Sequence, residues 1–353
     1  MNFMDLLPQT KLPIVVIGAG SIVTDAHLPA YKIASFDVVG IFDINIEKAK
    51  VVAKKFGISV IYESLEQLVK LAPKDAVFDM ALPATEIITS LELLPDGAYV
   101  LIQKPMGNDF IEAKKILQLV RRKKLVAAMN FQLRYAPFIL AANEIIDKGL
   151  IGELCDIEIS VNIYSPFHLW DFLLTSKRVE ILYHSIHYVD LVRSYFGNPD
   201  GIYAKTVKHE KMSELASVRS SIIMDYGEWK RAIILTNHCH DFNKKHQHAY
   251  IKLEGTRGAV KINMGMLMEY PKGEPDIVEY ISNINQPNPE WKNLCVDGTW
   301  FPHAFIGTMS EVMKAASKEI TLPKNSVEDA IYTMACVDAA YESSLKGATK
   351  LPK

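Results

Sequence analysis

The chain has 353 residues, 49% of them apolar and 23% charged, which allows two domains with a large buried core and excludes a disordered chain. A formal net charge of −2 leaves no excess of positive charge to attract nucleic acid. No stretch approaches the roughly 18 consecutive apolar residues needed to span a bilayer, so no membrane partner is expected either.

The first part of the chain alternates short apolar runs with amphipathic segments. Pro13–Ile17 is a β-branched run that stops at Gly18, as a buried parallel strand should. Thr24–Ser35 has helical character, with Pro29 near its start or at a kink. Val38–Phe42 repeats the strand pattern and ends at Asp43, and Ile46–Phe56 reads as a helix closed by Gly57. Val60–Tyr62 is a strand, after which Ser64 and Gln67 form a capping box for the next helix. Phe78–Leu82 and Tyr99–Ile102 are two more strands, followed by helical segments over Thr85–Leu94 and Asp109–Lys123. The basic run Arg121–Lys124 closes the second of these helices, where cations complement the helix dipole. Val126–Met129 is a sixth strand. This rhythm implies right-handed βαβ units and a doubly wound parallel sheet over residues 1–130.

From about residue 131 to 353 the pattern changes. Leu154–Ile163 alternates as a half-buried antiparallel strand does, and Val179–Phe196 has helical periodicity. Tyr203–Lys208, Val218–Met224, Arg231–Asn237, His248–Glu254 and Ala259–Met264 read as strands, before helices over His303–Ser317 and Val327–Ser344. A second α+β domain with an open, mostly antiparallel sheet is expected.

Gly18-Ala19-Gly20-Ser21-Ile22-Val23 lies between the first strand and the first helix. Its two glycines permit a tight turn and close approach of the backbone to a pyrophosphate seated at a helix N-terminus. Val23 stands at the third small position, so this fingerprint of a dinucleotide site is incomplete. Asp43, at the end of the second strand, can accept hydrogen bonds from both ribose hydroxyls. A carboxylate there repels a 2′-phosphate and no Arg follows it, so NAD is expected in preference to NADP.

Gln103-Lys104-Pro105 after the fifth strand, the glycine turn upstream and Tyr183-His184-Ser185-Ile186-His187 downstream resemble the glucose–fructose oxidoreductase and inositol dehydrogenase family (Gfo/Idh/MocA). Ala81-Leu82-Pro83, Glu254–Ala259 and Trp300–Phe305 extend the resemblance along essentially the whole chain. The resemblance implies a Rossmann domain, a C-terminal domain whose open sheet makes a homo-dimer or homo-tetramer, and NAD(P)-dependent oxidation of sugars or polyols. It also implies that Leu82, Pro83, Gln103 and Lys104 join Gly18, Gly20, Ser21, Ile22 and Asp43 in holding the cofactor. Two departures stand out. Gln103 occupies the place of the family's Glu, and Tyr183 occupies that of its Asp, beside an additional His184.

Oxidising a secondary alcohol needs a hydride acceptor, which nicotinamide supplies, and a base for the hydroxyl proton. Tyr183, His187 and Asp190 are spaced i, i+4 and i+7, so a regular helix would line them along one polar face with His184 beside it. Leu182, Ile186, Val189 and Phe196 would form the neighbouring apolar face. His187 is the expected base, because imidazole titrates near working pH. Lys104 would stabilise alkoxide charge, Tyr183 would relay or donate a proton, and Asp190 would orient His187. Asn130, Arg134, Tyr164, Trp170, Asp190 and His303 are candidates for substrate contact, with His168 and Asp171 nearby.

His238, His240, His246 and His248 form two His-x-His pairs that a hairpin could join around zinc. Exposed loops gather histidines without binding metal, and no metal is expected. Cys155, Cys239, Cys295 and Cys336 lie far apart without a CxxC pair, and the first ten residues lack a basic n-region. Both features point to a reducing, cytoplasmic setting. The leading expectation is an NAD-dependent dehydrogenase of a sugar, polyol or sugar acid. An NAD-dependent glycosidase acting through transient oxidation and a non-catalytic NAD-binding regulator are the alternatives.

Overall fold

A computed structural model describes residues 3–269, 272–284 and 288–351. The chain falls into two compact units. The first runs to Pro137 and takes in Trp300–Met334, and the second comprises Phe138–Thr299 and the chain from Ala335 onward. A single cut at 130/131 therefore does not describe the packing. The helix Trp300–Ala316 is far away in sequence but folds with the first unit, where it buries Ala304, Phe305, Ile306, Met309 and Val312.

The first unit is built on six parallel strands: β1 (Ile14–Ile17), β2 (Val38–Phe42), β3 (Val60–Ile61), β4 (Val77–Met80), β5 (Tyr99–Ile102) and β6 (Val126–Met129). Their order is β3-β2-β1-β4-β5-β6, the doubly wound arrangement whose direction of winding reverses between β1 and β4. The central strands β1 and β4 are buried along their full length, which is why they read as unbroken apolar runs. Ile17 pairs with Phe42 and Met80, Met80 with Ile102, and Ile102 with Met129. The carboxyl ends of five strands are thus level.

Helices α1 (Leu28–Ile33), α2 (Ile46–Phe56), α3 (Leu65–Leu71), α4 (Ile87–Leu93) and α5 (Phe110–Arg122) connect the strands. Local signals set their ends. Asn45 caps α2 by accepting from Lys48 N, Ser64 caps α3 through Gln67 N, and Gly57 closes α2 at φ 75°. Gln67 completes its capping box one residue early, with Oε1 accepting from Glu63 N. The helix expected over Thr24–Ser35 occurs in two pieces, a π-helical turn over Val23–His27 and then α1. Pro29 has no N–H for a regular i→i−4 bond, and the α-helix begins afresh around it.

In the second unit, α6 (Pro137–Asp147) leads to β7 (Leu154–Asn162), α7 (Phe172–Thr175) and α8 (Ile186–Phe196). Seven strands follow: β8 (Gly201–Val207), β9 (Arg219–Asp225), β10 (Arg231–Asn237), β11 (His248–Gly255), β12 (Gly258–Asn263), β13 (Ile277–Ser282) and β14 (Lys292–Leu294). The sheet order is β14-β13-β12-β11-β7-β10-β9-β8. All neighbours are antiparallel except β7 and β10, so β7 is antiparallel on one side and parallel on the other. One face buries Ile157, Ile159, Ile222, Ile234 and Ile251, and α8 packs on β10. The alternation along each strand follows from a sheet buried on one side only.

Candidate active site

At the carboxyl edge of the parallel sheet, Gly18, Ala81, Gln103 and Asn130 each begin the step beyond a strand. Their amides donate to Phe42 O (2.7 Å), Ile17 O (2.8 Å), Met80 O (2.9 Å) and Ile102 O (2.7 Å), respectively. Gly18 has φ 107°, and a Cβ there would lie 2.5 Å from Ala81 O. Only glycine lets the turn pass so close to the neighbouring strand end. Gly20 differs: no atom lies within 4 Å of where its Cβ would be. The first glycine serves the fold, and the second leaves open space above the backbone. Ser21 is exposed and Ile22 half-buried at the start of the following turn, while Val23 is fully buried.

Asp43 is half-buried, and its carboxylate links the glycine turn to α2. Oδ2 accepts from Ala19 N (2.7 Å) and Oδ1 from Asn45 N (2.8 Å). Each oxygen retains a lone pair, so the group is held in place with capacity to spare. Ile44, which sequence reasoning passed over, is 96% exposed beside it. Its signal in the sequence is an aliphatic residue directly after the strand-end carboxylate. Leu82 is half-buried and Pro83 exposed beyond β4. Gln103 and Lys104 are half-buried beyond β5. Loss of water around the Lys104 ammonium lowers its pKa to about 8.

Asn130 does not belong to this edge as a ligand contact. It is fully buried in a polar network inside the first unit. Its Nδ2 lies 3.2 Å from His27 Nε2, and its Oδ1 accepts from Thr308 Oγ1 (2.9 Å). On its other side, His27 Nδ1 lies 2.8 Å from Asp79 Oδ2. Tyr31 OH donates to the same oxygen at 2.8 Å, and burial together with Asp79 raises the Tyr31 pKa well above its ordinary value. Arg134 is also committed internally: Nη1 donates to Lys324 O (3.0 Å) and Nη2 to Asp329 Oδ2 (2.7 Å). His303 is half-buried in this same unit rather than in the second.

In the second unit, a π-helical turn over Ile181–Ser185 precedes α8. It breaks the 3.6-residue phase, and every residue from Ile186 to Arg193 is buried. The division into a polar and an apolar face expected from regular spacing is therefore not present. His187 is buried at 8% exposure and Asp190 at 1%. Tyr183 and His184 are half-buried. Tyr183 packs edge-on to Phe172 and joins an apolar cluster with Phe167, Leu173, Met212 and Leu215. Trp170 packs on the same cluster. Tyr164 is exposed and lines a shallow concavity with Phe167, His168, Lys211 and Glu214, while Asp171 is exposed nearby.

The four histidines considered for zinc do not converge. His240 Nε2 lies 3.1 Å from Lys245 O and His248 Nε2 lies 2.9 Å from Ser160 Oγ. His238 is instead fully buried, with Nε2 3.3 Å from Glu180 Oε1. Burial works to raise the pKa of Glu180, but the hydrogen bond and charge of His238 carry it below the usual carboxylate value. Sequence reasoning missed Glu180. Its signal was a carboxylate within an apolar run, four residues before His184.

Comparison with known proteins supports the fold and extends over the whole chain. Overall, the chain is 24% identical to a 1,5-anhydro-D-fructose reductase of Ensifer adhaerens over 261 residues, 73% of this chain and 77% of the reductase. It is 22% identical to the D-apiose dehydrogenase of Rhizobium rhizogenes over 361 residues, 97% of each protein. The solved structure of levoglucosan dehydrogenase in complex with NADH and levoglucosan shares the fold, with a TM-score of 0.75 at 18% identity. That match covers 96% of this chain and 98% of the other. Residues 12–131 match the model of the oxidoreductase family with an NAD-binding Rossmann fold. That match, the strand order and the glycine turn at the winding reversal identify this part of the chain as the Rossmann domain of the Gfo/Idh/MocA oxidoreductase family.

Proposed function

We propose that the protein is an NAD(P)-dependent oxidoreductase that moves a hydride between nicotinamide and a secondary alcohol of a sugar, polyol or sugar acid. One observation carries this reading. The level carboxyl edge of the parallel sheet brings together an open glycine at Gly20, a held carboxylate at Asp43 and a partly desolvated amine at Lys104. The pyrophosphate would lie over Gly20 and the N-terminal turn from Ser21 and Ile22. Asp43 would accept from the adenosine ribose, with Ile44 against the adenine, and the carboxylate favours NAD over NADP. Leu82, Pro83 and Gln103 would border the nicotinamide end. No residue of the chain replaces the hydride chemistry, which the nicotinamide supplies.

Lys104 would stabilise the negative charge that develops on the substrate oxygen, and His187 would take the hydroxyl proton. Tyr183 and His184 are the groups closest in sequence that could pass that proton on. Asp190 is retained only as a buried orienting group. Tyr164, Trp170 and His303 remain candidates for substrate contact. The names of relatives that act on anhydrofructose, apiose and levoglucosan support a carbohydrate substrate. Four free cysteines fit a reducing, cytoplasmic setting, and no described helix is long and apolar enough to cross a membrane.

The test is absorbance at 340 nm with purified protein, NAD or NADP, and a panel of sugars, polyols and sugar acids. Steady NADH formation with one of them is the expected result, with NAD preferred and the preference eroded in Asp43→Ser. Sugar released from glycosides without net NADH would replace the dehydrogenase by a redox glycosidase. Bound NAD with no turnover of any panel member would leave a regulator.

A further inference from the structure

Glu180 and His184, four residues apart at one helical turn, meet His238 in the interior of the second unit. Glu180 precedes the π-helical turn, His184 lies within it, and His238 follows β10. Each offers one ligand atom, and these atoms all lie within 4.8 Å of one another. Glu180 Oε1 is 3.3 Å from His238 Nε2 and 3.8 Å from His184 Nδ1. The two imidazoles stand nearly perpendicular, with ring centres 4.1 Å apart.

Glu180 Oε1 and His238 Nε2 make a long hydrogen bond, and Glu180 Oε1 and His184 Nδ1 stand too far apart for one. An N–H···O bond is most often about 2.9–3.0 Å long, so the first contact is long and the second lies outside the range. These separations suit a shared cation better. Zinc with ligand arms of about 2.0–2.1 Å in tetrahedral array holds its ligand atoms about 3.3 Å apart. The surroundings are those that hold metal ligands in place. Ser165 Oγ lies 2.7 Å from His238 Nδ1, which turns Nε2 toward the carboxylate, and Ser185 Oγ donates to Glu180 Oε1 at 2.7 Å. Glu180 is fully buried, and its Oε2 has no hydrogen-bond partner of ordinary geometry among the described residues. A carboxylate in that position carries a desolvation cost that a divalent cation offsets. The side chain of His184 is 20% exposed and gives the site an entrance.

We propose that Glu180, His184 and His238 bind one divalent transition-metal ion of the zinc class, with a fourth position for water or another oxygen ligand. The site uses only His238 of the four histidines that the sequence suggested. It does not depend on the dehydrogenase reading, because it can be measured without nicotinamide or substrate.

The experiment uses the full-length protein, stripped with a chelator and titrated with Zn²⁺ against a chromophoric competitor. Co²⁺ serves as a spectroscopic probe. One equivalent of zinc per chain and the visible bands of four-coordinate cobalt are expected. His238 is fully buried and its removal endangers folding, so the decisive variants are His184→Ala and Glu180→Gln, with folding confirmed by circular dichroism. Ser165→Ala leaves all three ligands in place and should weaken binding by about 10- to 100-fold. His184→Ala and Glu180→Gln should weaken it further, and His240→Ala should leave it unchanged. Wild-type protein that takes up neither metal overturns the site. So does binding of equal strength in the folded His184→Ala and Glu180→Gln variants.

Discussion

Lys104 stands two residues beyond the end of β5, half-buried, with a pKa lowered to about 8 by loss of water around its ammonium. At neutral pH it remains largely a cation and can donate to a developing alkoxide. Above about pH 8 it loses that ability, so kcat/KM, which reports the free enzyme, should fall on the alkaline side with an apparent pKa near 8. Lys104→Ala should lower turnover at least about a hundredfold. Lys104→Arg, which stays protonated, should keep more activity and lose the alkaline limb. A limb unmoved in the Arg variant would remove Lys104 from the role of donor. Linkage gives the same shift a stability sign. The folded value lies below the ordinary lysine value of about 10.5, so this group opposes folding below about pH 8, and its penalty fades as pH rises toward 10.5. Other polar side chains show what a sequence leaves open at this scale. Asn130 and Arg134 follow β6 much as Gln103 and Lys104 follow β5. Yet Asn130 is closed off by His27 and Thr308, and Arg134 is tied to Lys324 and Asp329. Those partners lie 103 to 195 residues away in the chain, beyond the reach of any local pattern.

Elements with local signals were legible in the sequence. β2, β5, β6, β10 and α2 begin and end where apolar runs, caps and a terminal glycine place them. β13 and β14 carry no clear apolar alternation, being the last two, partly exposed strands at one end of the sheet, and α6 has no strong local signal either. The two π-helical turns were missed because their wider winding is not written in a 3.6-residue period. The second of these turns undid the expected polar face. The two glycines of the turn after β1 sit in different surroundings and should respond differently to the same change. A methyl group at Gly18 meets Ala81 O at 2.5 Å with φ at 107°. Gly18→Ala should therefore cost about 1–3 kcal/mol of stability, the range seen for overpacked sites. Gly20→Ala meets no atom within 4 Å and should shift stability by no more than about 0.5 kcal/mol. Its methyl would nevertheless intrude where the pyrophosphate is proposed to lie, weakening NAD binding on the order of tenfold, about 1.4 kcal/mol. Urea midpoints and NAD titrations of both variants separate the two effects. If Gly20→Ala binds NAD as tightly as the wild type, the cofactor does not pass over this glycine.

At the scale of the whole molecule, the change from parallel to mostly antiparallel architecture was visible in the sequence, while the return of Trp300–Met334 to the first unit was not. The second unit leaves one sheet face available for assembly. Tyr203, Ile223 and Ile233 are register partners across β8, β9 and β10, and Leu235 lies on the same side two residues along. Tyr203 is 63% exposed, Ile223 46% and Leu235 37%, whereas Ile222, Met224 and Ile234 on the opposite side are buried. An apolar strip on the open side of a sheet is a place where another surface is expected to pack. We propose that a second copy of the chain covers it, giving a homo-dimer or a tetramer built from such dimers. Ile223→Lys combined with Leu235→Lys places two ammonium groups on the strip. Because both positions are exposed, the fold should be retained, with secondary structure unchanged by circular dichroism. Like charges facing each other across an interface disfavour association, so light scattering at micromolar concentration should show wild-type oligomers and a monomeric variant. A monomeric wild type would remove the assembly. A variant with undiminished mass would place the interface elsewhere.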